Sequence, residues 1–250
     1  MSGWFTRGRV IVAVVVAVAA VAIGGTAAAL TTSPSPSHAV SLSRDGRVSA
    51  ALKVAAGTPI LEVSVGNLGG TLLRVSTPDN APVRPVLSGA SSRVIVLSLA
   101  GAARVQGSQR GSGYAVTVVL NSAVSWGLDL AGGTELAKLD LRGGKVAGVA
   151  VTAGSDVLDV SLPRPAGTLP LLLAGGVSQF LLSLPGGVPA KVTVGGGASF
   201  VSIDDQNLTG VAGGTVLTPP GWDTAASRFD IDATSGFSRL TVSRWSSAGS

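Results

Sequence analysis

Between residues 126 and 245 apolar and polar positions alternate in short runs, and the runs keep a nearly fixed beat. Leu128-Asp129-Leu130 is followed by Ala131-Gly132-Gly133; eleven residues later Leu139-Asp140-Leu141 is followed by Arg142-Gly143-Gly144. Val149-Ala150-Val151 comes ten residues after the second triplet, and Leu158-Asp159-Val160 nine after that. Near the end Phe229-Asp230-Ile231 and Leu240-Thr241-Val242 are again eleven apart, around Ser235-Gly236. Side chains alternate sides along a strand, so each triplet places two apolar residues on one face and the middle residue on the other. The glycine pairs predict turns, because glycine reaches conformations that strain other residues.

Longer similarities double the beat. "LDVSLP" at 158–163 returns as "FLLSLP" at 180–185, an offset of 22, and "LAGGVS" at 173–178 resembles "VGGGAS" at 194–199, an offset of 21. Two beats bring a chain back to the same side of a stack, so the spacing predicts an all-β fold, a β-solenoid with about 20–22 residues and two strands per coil. An antiparallel β-sandwich is the alternative, since strands running up and down also recur every eleven residues. Upstream, "LEVSVGNLGG" at 61–70, "RVIVLSLAG" at 93–101 and "YAVTVVLNSAVSW" at 114–126 are further strand runs. Thr77-Pro78-Asp79-Asn80-Ala81-Pro82 is a loop. No polar linker separates these runs from the later ones, so 40–245 is expected to be one domain with a tail at 246–250.

The amino terminus has a different pattern. Val10 to Leu30 is an uncharged apolar run of 21 residues preceded by Trp4, Phe5, Arg7 and Arg9. As a helix it is about 31 Å long, close to a hydrocarbon core of about 30 Å. The charge asymmetry predicts that residues 1–9 are cytoplasmic, 10–30 span the membrane once, and the remainder lies outside. A cleaved signal peptide is the alternative, with an apolar run at 10–22 and Ala27-Ala28-Ala29 as the cleavage site, which makes the protein secreted. Thr31-Thr32-Ser33-Pro34-Ser35-Pro36-Ser37 opens a Ser/Pro-rich linker, 31–39, that is expected to be extended and solvated.

Composition agrees with a strand-rich export product and narrows its chemistry. Hydrophobic residues make up 46% of the 250, aromatics 4% and charged residues 12%, with 35 glycines and no cysteine. Thiolate nucleophiles, disulfides and zinc–thiolate sites are therefore excluded. The net charge of +5 is carried singly by arginines such as Arg44, Arg74, Arg84, Arg93, Arg104 and Arg110. A patch that reads nucleic acid gathers its charge among aromatics, so no nucleic-acid partner is expected. His38, the one histidine, falls at the end of the linker, which removes a Ser–His–Asp mechanism.

Acids form the remaining candidates. Asp204-Asp205-Gln206-Asn207 and the Asp230/Asp232 pair are the densest oxygen clusters, but neither has calcium-loop spacing. They read as a polar turn and a solvent-facing strand. Asp129, Asp140 and Asp159 would line a carbohydrate-cleaving groove only if their strands stack on one side. No catalytic, cofactor-binding or metal residues are assigned, no cofactor is expected, and the chain is read as a non-enzyme.

The "LDLxGG" and "xVxVxxGxxxVxVxLP" rungs and the ending "GWDTAASRFDIDATSGFSRLTVSRW" cover roughly 120–245. They resemble the toast-rack β-solenoid domains of the putative-adhesin family and the related extracytoplasmic domain of Lia-type cell-wall-antibiotic-response membrane proteins. The resemblance implies a non-enzymatic cell-envelope protein acting in adhesion, scaffolding or binding, with an envelope protein or glycan as partner. An envelope-stress sensor working through a membrane partner is the alternative it also implies, and a carbohydrate-active β-helix enzyme the more distant one. Lia-type proteins carry several membrane helices before this domain; here there is one candidate span.

On this pattern Leu139→Asp is expected to unfold the neighbouring strands, because it places a charge where a buried leucine contributes about 1.5–3 kcal/mol. Asp140→Ala is expected to change stability by about 0.5 kcal/mol or less. Thermal melts of the two variants check this, and equal losses would sink the facing assignment.

Overall fold

The computed structural model describes residues 38–101 and 113–246. The expected membrane span at 10–30 and linker residues 31–37 lie outside them. Among the described residues no helix is long and apolar enough to cross a membrane. All regular elements there are strands, arranged in two mixed sheets of ten and nine.

The middle of the molecule follows the beat. β8 (Ser125–Leu130), β10 (Lys145–Val151) and β12 (Thr168–Leu173) lie in the nine-stranded sheet. β9 (Thr134–Asp140), β11 (Ser155–Ser161) and β13 (Val177–Pro185) lie in the ten-stranded one. The chain crosses from sheet to sheet at every turn, and each strand pairs in parallel with the one two elements later. Val160 lies opposite Leu139 and Leu182, at offsets of 21 and 22. The parallel ladders replace the antiparallel sandwich alternative through the middle of both sheets; antiparallel pairs occur only toward the ends.

The same alternation extends to both sides. β2 (Ser49–Val54) and β3 (Thr58–Gly66) form one further pair beside β8 and β9. β6 (Val94–Ala100) and β7 (Ala115–Asn121) form another beside that. At the far side stand β18 (Arg228–Ala233) with β19 (Phe237–Trp245), then β14 (Ala190–Val194) with β15 (Ala198–Ile203). Each such pair, one strand per sheet, is a rung.

Aligned rungs bring like positions into columns between the sheets. In the ten-stranded sheet Val118, Val63, Leu139, Val160, Leu182, Val242 and Ile203 are successive register partners, all buried. The facing column is Leu97, Val54, Leu130, Val151, Leu173, Ala233 and Val194, also buried. Trp126, Phe180 and Phe229 are the largest fully buried side chains of this core, and the Trp126 indole donates to the Asn121 carbonyl at 3.0 Å. The leucines of the repeated triplets are thus core residues.

Spatial order departs from chain order at both ends. β2–β3 lies between β6–β7 and β8–β9, and β18–β19 lies between β12–β13 and β14–β15. The 21-residue similarity of 173–178 to 194–199 therefore does not mark neighbours: Leu173 and Val194 each pair with Ala233 of the interposed rung. Antiparallel strands close the ends. β4 (Thr71–Ser76) pairs with β7, β1 (Ala39–Ser43) with β4, and β5 (Arg84–Ser88) with β6. At the other end β16 (Gln206–Val211) pairs with β15 and β17 (Thr215–Leu217) with β14. His38 is not a loose linker residue. Its carbonyl accepts from the Thr77 amide at 2.8 Å, and its Nδ1 lies 3.0 Å from Thr77 Oγ1.

The glycine pairs have another cause than the expected turn conformation. Gly132, Gly133, Gly143 and Gly144 are absent from the positive-φ glycines. Gly132 and Gly133 meet the neighbouring rung instead, whereas Gly143 lies in the turn closed by the Gly144 amide donating to the Leu141 carbonyl at 3.0 Å. The amides of Thr58, Thr134 and Ser155 donate to the carbonyls of Gly133, Gly154 and Gly176 at 3.0, 3.1 and 3.0 Å. At this corner a Cβ on Gly132 would overlap the Ala56 carbonyl, and one on Gly175 the Ala153 carbonyl. Gly143, on the opposite corner, has nothing within 4 Å of a Cβ. Gly132→Ala is expected to cost about 3 kcal/mol, since backbone must move. Gly143→Ala should stay within about 0.5 kcal/mol. Chemical denaturation of both variants measures the difference; similar midpoints would mean that the corner tolerates side chains.

Candidate binding surface

Outward positions on the nine-stranded sheet are small or apolar through its middle. Ala51, Gly127 and Gly148 lie at one level on β2, β8 and β10, and Ala150 lies beside Asp129 at the next. β10 carries one extra residue, Ala147, where its register with β8 shifts between Val146 and Gly148. Pro170 stands on β12 where the β10 ladder has not begun, since their pairing starts at Val149–Leu171. Proline cannot donate to a ladder; Pro170 is in register with Asp230 of β18 on one side, and on the other β10 bulges before its pairing with β12 begins. The result is a trough of about 480 Å³ with Val94 on one side, Pro170 and Leu172 on the other, and glycine and alanine between. A Lys53–Asp129 ion pair, 3.1 Å, sits on its lip.

The acids singled out in the sequence do not converge. Asp129 belongs to the nine-stranded sheet, whereas Asp140 and Asp159 belong to the ten-stranded one. Each has a basic neighbour. Asp129 is held by Lys53 and accepts from Thr152 Oγ1 at 3.1 Å. Asp140 binds the Arg142 guanidinium through both oxygens, at 2.9 and 2.6 Å, and that hydrogen bond holds its carboxyl below the usual range. Asp159 is in register with Lys138 on one side and Leu181 on the other.

Asp204 and Asp205 form the turn between β15 and β16, with Asp204 at φ +51°. Asp204 accepts from Arg244 Nε and Nη2 at 2.7 and 2.9 Å, and this bond depresses its pKa. Asp230 pairs with Lys191 at 3.1 Å, while Asp232 lies exposed beside Leu172 and Thr193. Among the described residues no group of three or more potential ligands is placed to hold a metal ion.

Trp222 holds a loop rather than filling the core. It lies half-buried in the loop that leads into β18, with its indole donating to the Phe229 carbonyl at 2.7 Å. The Lys191 ammonium and the Arg228 guanidinium lie 4.1 and 4.8 Å from the ring centroid. Arg228 also donates to the Asp223 carbonyl at 2.6 Å. Together these contacts clasp the 218–227 loop across the interposed rung. The trough itself was missed by the sequence reading. Its available signal was glycine inside strands, at Gly127 and Gly148, which marks a close approach of backbone to something else.

No protein-family description matches the chain, and no curated protein matches it. Among solved structures, one described as a putative cell adhesion protein from Clostridium sporogenes ATCC 15579 is similar in fold. Its TM-score is 0.59 at 17% identity, and the match covers 82% of this chain and 98% of that one. At that identity the likeness is one of fold.

Asp204 offers a pH test of the Arg244 pair. Its folded pKa lies below the ordinary 3.8, so the stability it contributes is complete above that value and is lost as pH falls through the depressed one. Asparagine tolerates the left-handed backbone at this position. The Tm difference between parent and Asp204→Asn should therefore be largest above pH 3.8 and close as the pH is lowered beneath it. A difference that stays constant down to pH 2, about two units below the usual carboxylate value, would show that the charge is immaterial.

Proposed function

We propose that this chain is a non-enzymatic β-solenoid of the toast-rack, putative-adhesin kind. Residues 10–30 tether it to the outer side of a cell membrane, where it acts in adhesion or scaffolding. The supporting observation is the disposition of its polar groups. The carboxylates of Asp129, Asp140, Asp204 and Asp230 are each neutralised by a lysine or arginine, and the concave surface is walled by Val94, Pro170 and Leu172. A reaction site gathers perturbed groups in a cleft; this surface offers shape and apolar contact. The solenoid reading rests on the sheet-to-sheet alternation and the 21- and 22-residue registers. The adhesive role comes from the likeness of fold to a protein described in those terms.

Expression of the full chain in a bacterium that lacks it tests the proposal. The full-length mass should remain with the membrane fraction, and cells should attach to a surface in greater number than cells expressing residues 1–37 alone. A soluble product lacking residues 1–29 would replace the tether with secretion. Equal attachment would remove the adhesive role.

A further inference from the structure

The outer face of the nine-stranded sheet carries a ridge beside its trough. Pro170 is exposed and Leu172 half-buried, one level apart on β12. β8 lies two strands away with β10 between them, and its outward residues are Gly127 at the lower level and Asp129 at the level of Leu172. One strand further out on either side, β2 places Lys53 and β18 places Asp232 at that same upper level. The face is thus arranged about β10, with ridge and acid on one side and hollow and lysine on the other. Asp232 is exposed and has no ion-pair partner among the described residues.

We propose that this face is the interface of a two-fold dimer, in which the Pro170–Leu172 ridge of each copy seats in the trough of the other. An axis lying over β10 and parallel to it exchanges β8 with β12 and β2 with β18, and keeps every level. Pro170 then lies over the partner's Gly127, and Lys53 faces the partner's Asp232. Each contact occurs twice, as an isologous interface requires. Leu172 reaches the lip beside the partner's Asp129, whose charge Lys53 already meets. Ala147, Gly148 and Ala150 lie under the axis, where the two copies come closest and small side chains fit. Packed sheets cross at about 30°, which displaces groups two strands from the axis by about 5 Å, within reach of a lysine stem. Lys145, exposed at the start of β10, is brought toward its own copy, but at the rim, where salt screens it.

The strands from β2 to β18, about 4.8 Å apart, with outward levels about 6.8 Å apart, give a footprint of about 490 Å² on each copy. The two together come to about 1,000 Å², the low end for specific interfaces, so the dimer is weak and concentration-dependent. Its symmetry suits two copies on one membrane. β4 opposes β7 and β1 opposes β4, so β1 runs with the parallel strands, and an axis along them leaves both His38 residues on the same side. Sharing a membrane raises the effective concentration of the copies. The inference deepens the reading of the trough as a binding surface, and rests on the stacked sheets and not on the tether or the adhesive role.

The chain has no cysteine, so one introduced thiol beside the axis reports the dimer. The full chain carrying Ala150→Cys, treated in membranes with a mild oxidant, should give a single disulfide-linked dimer and no higher multimers. The same treatment of Ser183→Cys, on the ten-stranded face, sets the background. Gly127→Val fills the trough, and its Cβ meets only the Ala51 methyl, at 3.7 Å, so the fold tolerates it. In the Ala150→Cys background it should leave the Tm unchanged and lower the dimer yield about tenfold, as loss of a central contact does. Asp232→Lys should lower the yield about fivefold, the upper end for one exposed ion pair, and Asp232→Glu should keep it. A yield no greater than the background, a ladder of multimers, or a yield that Gly127→Val leaves intact would overturn the proposal. Should Ala150→Cys fail to fold, sedimentation of the parent and of Gly127→Val in mild detergent decides the same question. A smaller particle for the variant supports the dimer, and equal sizes overturn it. Attachment of cells without the dimer would leave the adhesive role standing and remove the dimer alone, whereas a disulfide dimer in a product lacking residues 1–29 would remove the tether alone.

Discussion

Close approach of backbone at the glycine corner is the constraint on which the stack depends. Neighbouring strands of a sheet lie about 4.8 Å apart. Here the chain must leave one sheet for the other inside that spacing, beside another rung doing the same. Where Gly132 and Gly175 meet the carbonyls of Ala56 and Ala153 there is no volume for a side chain. With the corner so tight, the amides of Thr58, Thr134 and Ser155 reach the glycine carbonyls of the adjoining rung. Register follows from that contact, and the buried columns follow from register. A one-residue slip would turn every Leu139-type position to solvent, so the corner bonds and the core columns enforce one another.

The ends must satisfy a different condition, because a stack of parallel strands exposes its last ladder. Interleaving addresses part of this. The rung that closes the chain, β18–β19, is bonded on both sides, and β14–β15, made earlier, takes the outer place with β16 and β17 folded against it. The Trp222 clasp, with Lys191 and Arg228 on the ring, secures the long connection that this order requires. The first half repeats the arrangement with β2–β3 inside β6–β7. The largest core aromatics, Trp126, Phe180 and Phe229, therefore sit in rungs bonded on both sides, whereas half-buried residues such as Val40 and Leu208 lie at the rim.

What was legible in the sequence is what local alternation encodes. Leu128, Leu130, Leu139 and Leu141 are buried as their triplets require, and the 22-residue likeness of 158–163 to 180–185 is a true register. Two features were misread for physical reasons. Glycine has two uses, conformational freedom and absence of volume, and composition cannot separate them; at Gly132 the second applies. Similarity at an offset of 21 reports equivalent positions in a stack, not adjacency, so 173–178 and 194–199 concealed the interposed rung. The linker boundary was one of the same kind, since His38 is fixed by Thr77, 39 residues away, where no local pattern points. The acids were visible as acids, but their partners Lys53, Arg142, Arg244 and Lys191 are mostly brought by tertiary register.

The two outer faces differ in what contact with them costs. On the ten-stranded sheet Glu62, Lys138 and Asp159 lie side by side across three strands, alternating in sign, and a level further on Ser64, Asp140, Ser161, Ser183 and Ser243 are successive partners. Covering that face strips water from charges and hydroxyls that already answer one another, so a partner gains little. On the nine-stranded sheet the levels through Ala51, Gly127 and Gly148 present hydrogen or methyl where other sheets present polar side chains. Little hydration and little side-chain entropy are lost there on contact. Val94, Pro170 and Leu172 supply the apolar area, and Lys53–Asp129 remains at the lip as a polar edge. The mid-strand glycines and Pro170, each unfavourable for a strand taken alone, are therefore what makes this face the cheaper one to cover.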